Sequence, residues 1–153
     1  MFSRFSSTKK YFDYASITPL DKGVVKVMVD ILHKKWQNPS SLYGSGVLVS
    51  KVLNQARETV AQVLSGSSVH SVHSDEVVFT SGGTESDNIA LVGAIHAWKR
   101  LHGKTPHVIT SAVEHPAVKK TLEALEKDGV ITTSYISVDS DGVINLAEFK
   151  DVL

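Results

Sequence analysis

Ser81-Gly82-Gly83-Thr84-Glu85-Ser86-Asp87-Asn88 is the stretch best equipped for chemistry, because it follows the extended apolar run Glu76-Val77-Val78-Phe79-Thr80 and opens a helical pattern. Two glycines strip the turn of side chains, and the first N–H groups of a helix have no carbonyl to bond within it. An anion satisfies those donors and meets the positive end of the helix dipole, so a phosphate is the ligand this pattern suits. Such turns also serve tight packing alone, and Thr84 read by itself also serves as a helix cap. Asp87 gains from the dipole, and a structural role is the plainer reading of both Asp87 and Asn88. A second segment, Glu114-His115-Pro116, ends another β-rich run and starts another helix. Imidazoles titrate near neutrality and suit proton transfer, although a histidine before proline is by itself only a turn residue.

The elements that must hold these turns alternate. Thr18 is expected to cap a first helix, with Pro19 at its first position and Asp21 three residues after the cap. Val24, Val25, Met28, Ile31, Leu32 and Trp36 form its apolar face, and Asn38-Pro39 ends it. Val49, Leu53, Ala56, Val60 and Leu64 mark a second helix. Residues 65–74 read as a loop, and its His70 and His73 have metal-ligand spacing but no third ligand nearby, so a solvated loop is expected. Three β-rich runs follow, at 76–80, 106–111 and 132–138, separated by helices built on Ile89, Leu91, Ile95, Trp98 and Leu101, then on Val118, Leu122 and Leu125. Strand-helix-strand-helix-strand with short connections predicts an α/β fold with a parallel sheet flanked by helices. Ligands of such sheets sit at the carboxyl ends of the strands, where both turns fall.

Composition narrows the classes. The 153 residues are 42% hydrophobic, enough for a real core, and sixteen basic residues balance sixteen acidic ones. No basic block interleaved with aromatics suggests nucleic acid, and no run reaches the roughly 18 apolar residues a membrane helix needs. With no cysteine, the chain has neither a disulfide nor a thiolate nucleophile. Residues 1–10 are basic and Ser-rich, faintly like an organellar transit sequence, and are read as a frayed start with a cytoplasmic setting expected.

The residues also match a known pattern. Tyr11-Phe12-Asp13-Tyr14-Ala15-Ser16-Ile17-Thr18-Pro19, Asn38-Pro39-Ser40-Ser41-Leu42-Tyr43, the Gly82-Gly83-Thr84 turn and Thr110-Ser111-Ala112-Val113-Glu114-His115-Pro116-Ala117-Val118 occur in that order. Together they resemble the N-terminal part of the cysteine desulfurases, the class V aminotransferase branch of fold type I pyridoxal-phosphate enzymes. The resemblance implies pyridoxal 5'-phosphate as cofactor, with Gly83 and Thr84 on its phosphate and His115 stacked on its ring and assisting proton transfers. It also implies L-cysteine as substrate, a homo-oligomer, and sulfur-acceptor or scaffold proteins of iron–sulfur assembly as partners. Tyr43 departs from the pattern, standing where the loop signature ends in histidine. The family's Schiff-base lysine, ring-nitrogen aspartate and catalytic cysteine match nothing here, so the chain alone is expected to be inactive. Selenocysteine lyases and sulfinate-eliminating relatives share the same N-terminal blocks.

On this reading residues 1–18 are an N-terminal arm or small-domain contribution, and residues 19–153 an incomplete large domain of the type I transferase. Two alternatives stay open. One is a noncatalytic structural or dimerisation fragment. The other is calcium binding at 137–148, where the EF-hand register holds from its third position through Gly142 and Glu148, yet begins with Ser137. A simple Asp-Gly turn leading to a helix capped by Asn145, with Glu148 completing a capping box, competes with it.

Overall fold

The computed structural model describes residues 10–66 and 71–153; the start of the chain and His70, both read above, lie outside the described residues. The fold is α/β, and its contacts divide it into two compact units, one running to Val78 and the other from Phe79 to Leu153.

The first unit is helical. Tyr11 opens it by donating its hydroxyl to the carbonyls of Asp13 (2.7 Å) and Ile17 (2.9 Å), which closes a turn over Tyr14. Helix α1 spans Lys22–Lys34 and is capped by Asp21, whose carboxylate accepts from Gly23 N–H at 2.7 Å. That corrects the expectation of Thr18 as cap. A carboxylate next to the first helical turn accepts an amide more strongly than a hydroxyl three residues earlier. At its other end α1 stops at Lys34, so Trp36, expected on its apolar face, falls beyond the helix. Asn38 then folds the chain back, its side chain accepting from Ser40 N–H and its carbonyl from Ser41 N–H. Helix α2, Gly44–Ser65, buries Gly46 and Ala61. A single 3-10 turn, Ser74–Glu76, packs against it, tied by Val72 N–H to the Ser65 hydroxyl at 2.7 Å.

The second unit carries the sheet. Strands β1 (His107–Ser111) and β2 (Thr132–Ile136) pair in parallel, with His107 opposite Thr132 and Ser111 opposite Ile136. Helix α4, Pro116–Lys127, is the crossover between them, and α3, Gly83–His102, packs beside it. Ile95 of α3, Leu122 of α4 and Ile131 before β2 form the core, with Leu91, Val108 and Leu125 packed around them. Leu122 and Ile131 are buried completely, each burial stabilising by roughly 1.5–3 kcal/mol.

Glycines stop both helices. Gly103 takes a left-handed conformation (φ 65°) after α3, and Gly129 (φ 68°) follows α4. There the amides of Gly129 and Val130 return to the carbonyls of Glu126 and Leu125, a Schellman closure that feeds Val130 toward the core. On the last turns of α3, Trp98 lies tilted against His102, with ring centroids 4.5 Å apart.

The β-rich run 76–80 is not a strand: among the described residues no ladder accepts it, and Val78 and Phe79 are exposed. Strand formation depends on a hydrogen-bonding partner as well as on β-branched residues. The third run ends as a strand at Ile136, after which Val138 and Ile144 form an isolated antiparallel bridge around the Asp141-Gly142 turn. Helix α5, Leu146–Asp151, starts on Asn145, whose side chain accepts from Ala147 and Glu148. Glu148 does not complete the expected capping box, because its carboxylate is drawn to the hydroxyl and amide of Ser137.

Candidate active site

Gly82 caps α3 in extended backbone (φ 163°, ψ 179°), so its conformation alone does not demand glycine. Nor does local packing: a Cβ built on Gly82 or Gly83 meets nothing within 4 Å. The turn therefore leaves open space over the helix end. Ser86 N–H bonds the Gly82 carbonyl, but no described residue accepts from the N–H groups of Gly83, Thr84 or Glu85, or bonds the Thr84 hydroxyl. Three amides and one hydroxyl thus lack a partner among the described residues at the positive end of a helix.

The walls of the turn are held by its own side chains. The amide and hydroxyl of Ser81 both reach Glu85 at 2.6 Å, and the Thr80 and Ser86 hydroxyls meet at 2.6 Å. Hydrogen bonding from the Ser81 hydroxyl, then from its amide, holds the Glu85 carboxyl below its usual value. Glu85 is thereby turned back on Ser81.

His115 sits past the carboxyl end of β1, as the cap of α4. Its Nδ1 accepts from Ala117 N–H at 3.1 Å, with Pro116 opening the helix. An accepting Nδ1 puts the proton of the neutral ring on Nε2, so the exposed edge of the imidazole is a donor. Beside it, the Ser111 hydroxyl donates to Glu114 at 2.8 Å, fixing the turn that leaves the strand.

Two residues join these helices. Asn88, one turn into α3, donates to the Thr84 carbonyl at 2.8 Å and accepts from the Thr121 hydroxyl of α4 at 2.8 Å. Thr84 and His115 lie about 6 Å and about 9 Å along their helix axes from this contact. Gly83, Thr84 and His115 all belong to the second unit, on neighbouring helices; the 76–80 run does not share the sheet with them. Tyr43 and its loop belong to the first unit, where Tyr43 caps α2 without a side-chain bond.

Sequence reasoning did not find Gly46 or the Asn88–Thr121 pair. A Cβ on Gly46 would lie 2.7 Å from the Ser41 carbonyl oxygen and 2.9 Å from that of Asn38, so glycine lets the 38–41 turn lie directly on α2. The Tyr-Gly-Ser-Gly run was the available signal. Elsewhere, the Tyr135 hydroxyl is buried without a partner near Lys119, Glu123 and Glu126, and burial, then the charge of Glu126, pushes the phenol up. In the 137–148 segment, Asp139 accepts from the amides of Asp141 and Val143, and Glu148 from Ser137. Among the described residues no group of three His, Asp or Glu side chains is placed to hold a metal ion. No helix among them is long and apolar enough to cross a membrane.

Comparison with known proteins finds the aminotransferase class-V family over residues 10–153. "Cysteine desulfurase IscS" of Dictyoglomus turgidum is 41% identical over 143 residues, covering 94% of this chain and 34% of that protein. "Selenocysteine lyase" of Bos taurus is 32% identical over 161 residues, covering 96% of this chain and 35% of the relative. A solved structure described as "SspA in complex with cysteine" superposes with a TM-score of 0.79 at 34% identity, covering 95% of this chain and 39% of that one. The chain spans about a third of the length of the curated relatives it matches.

Proposed function

The chain belongs to the aminotransferase class-V family, and from that premise we propose that it is the N-terminal portion of a cysteine desulfurase-like enzyme dependent on pyridoxal 5'-phosphate. The observation that supports this reading is the Gly82-Gly83-Thr84 turn, whose backbone N–H groups are left without acceptors at a helix N-terminus, the setting that favours an anion such as a phosphate. Gly83 would supply an amide, and Thr84 an amide and its hydroxyl. His115 would lay its ring on the pyridine face, with Nε2–H available to hold or pass a proton at the substrate side. The cofactor, when bound, supplies an electron-withdrawing ring that stabilises negative charge on the substrate's α-carbon. L-cysteine would be the substrate, with its sulfur passing to a thiolate and alanine left behind. The chain has no cysteine, so no residue within it can be that thiolate. The Schiff-base lysine and the ring-nitrogen aspartate are likewise assigned to polypeptide beyond this segment. By itself the segment would then be inactive. A homodimer, a sulfur acceptor of iron–sulfur assembly and a cytoplasmic setting belong to the same reading, as does division into an arm at 1–18 and an incomplete large domain at 19–153.

Cofactor retention by the longer protein tests the site. Thr84→Ala is expected to weaken it about tenfold, the equivalent of one charge-assisted hydrogen bond of about 1.4 kcal/mol. His115→Asn keeps an oxygen acceptor for the Ala117 amide while deleting the ring, separating capping from stacking. It too should weaken retention. Unchanged retention in both variants would remove the residue assignment, and a cofactor-linked lysine mapped within residues 1–153 would overturn the placement of that lysine elsewhere. A noncatalytic association module is the second reading, favoured by the exposed apolar face of α1, where Val24, Met28 and Leu32 lie in the open.

A further inference from the structure

We propose that Asn88 and Thr121 are positioning residues that hold the phosphate turn and the His115 ring at a fixed separation, an inference that rests on the cofactor site proposed above. A continuous polar path links the two groups. The Thr84 carbonyl accepts from Asn88 Nδ2 (2.8 Å), Asn88 Oδ1 accepts from Thr121 Oγ1 (2.8 Å), and Thr121 Oγ1 also reaches the Ala117 carbonyl (2.7 Å). Ala117 N–H in turn holds His115 Nδ1 at 3.1 Å. Each end of the path is therefore the backbone or ring of a residue assigned to the cofactor.

The bond from Asn88 to Thr121 is the informative member. Polar side chains often bond the carbonyl one turn back in their own helix, and the Asn88–Thr84 and Thr121–Ala117 contacts taken singly are of that kind. The bond between helices spans 33 residues of sequence and joins two half-buried side chains. Among the described residues no other side-chain hydrogen bond joins α3 to α4. Beneath it the helices meet through Leu91, Ile95, Val118 and Leu122, and apolar packing is non-directional, so it tolerates small rotations of one helix against the other. A hydrogen bond restricts distance and angle together and fixes that rotation. The chemistry of the pair is also self-consistent. Asn88 must turn its amide nitrogen toward a carbonyl, which leaves its oxygen for the Thr121 hydroxyl. That hydroxyl has one proton for two acceptors, the Asn88 oxygen and the Ala117 carbonyl, and so couples them. A rigid ligand with a phosphate at one end and a flat ring at the other needs such a fixed span.

The test uses the longer protein that carries this segment, titrated with pyridoxal 5'-phosphate, reading affinity, the circular dichroism of the bound chromophore at saturation, and the melting temperature. Thr121→Val keeps shape but removes the hydroxyl. It is expected to weaken retention about fivefold and to change the chromophore's dichroism, which reports ring orientation. Thr121→Ser returns the hydroxyl and should restore both. A lowered melting temperature with affinity and dichroism unchanged would make the pair merely structural and overturn the proposal. If Thr84→Ala and His115→Asn weaken retention while Thr121→Val does not, the positioning role falls and the site stands. If none of the three matters, the site fails and the positioning role with it.

Discussion

Glu85 and Glu148 use the same device at opposite ends of the second unit, each carboxylate accepting a serine's hydroxyl and amide together. In both, the serine hydroxyl is the larger cause and the amide the next of a carboxyl held below its ordinary value. The sign follows from which form is bonded: the charged form accepts, so the tie is complete above the ordinary glutamate pKa of about 4.3 and is lost as pH falls through the lower folded value. The Ser81 and Ser137 amide resonances are expected to stay constant near neutrality and to shift only in acid, with midpoints below the ordinary glutamate value. Glu148→Gln should abolish the Ser137 transition and leave that of Ser81; a Ser137 midpoint above the ordinary value would contradict the geometry. Little of this was legible beforehand. Gly83, Thr84 and His115 stand out by type and local spacing, whereas a serine paired with a glutamate eleven residues away, or Asn88 with Thr121, becomes visible only when folding brings distant segments together.

Elements show the same division between local and distant information. The helices were readable because each carries its own signals: period, proline at the start of α4, glycine after α3 and α4. Strands were less so. The 76–80 run has the composition of a strand without a ladder, and α1 begins at the stronger of two nearby caps rather than at the hydroxyl before a proline. Two glycines inside helices should separate in experiment for a related reason. Gly46→Ala would push a methyl group into backbone carbonyl oxygens that cannot swing aside, and is expected to destabilise the first unit by about 1–3 kcal/mol. Gly93→Ala in α3 meets open space and should instead stabilise by up to about 1 kcal/mol through helix propensity. Denaturant titration of the two variants compares them directly; equal effects would refute the close approach at Gly46.

At the scale of the whole molecule, apolar surface outweighs core. Only Ala61, Ile95, Ala117, Leu122, Ile131 and Ile136 are buried hydrophobics among the described residues, while Phe12, Leu32, Leu42, Val63 and Leu101 are well exposed and α1 buries nothing. With a formal net charge of zero there is little repulsion to keep copies apart. The 153-residue chain is therefore expected to elute as concentration-dependent associates in size-exclusion chromatography with light scattering; a monodisperse monomer at all concentrations would contradict this. The two tryptophans fall one in each unit, Trp36 well exposed in the first and Trp98 against His102 in the second. Contact with the imidazole places the Trp98 indole in a packed surrounding that Trp36 lacks, so its emission is an intrinsic optical reporter of the second unit. With Trp36→Phe in place, the remaining fluorescence follows the end of α3 alone, and whether its unfolding midpoint matches that of the far-ultraviolet circular dichroism, to which the helices of both units contribute, reveals whether the units melt as one or apart.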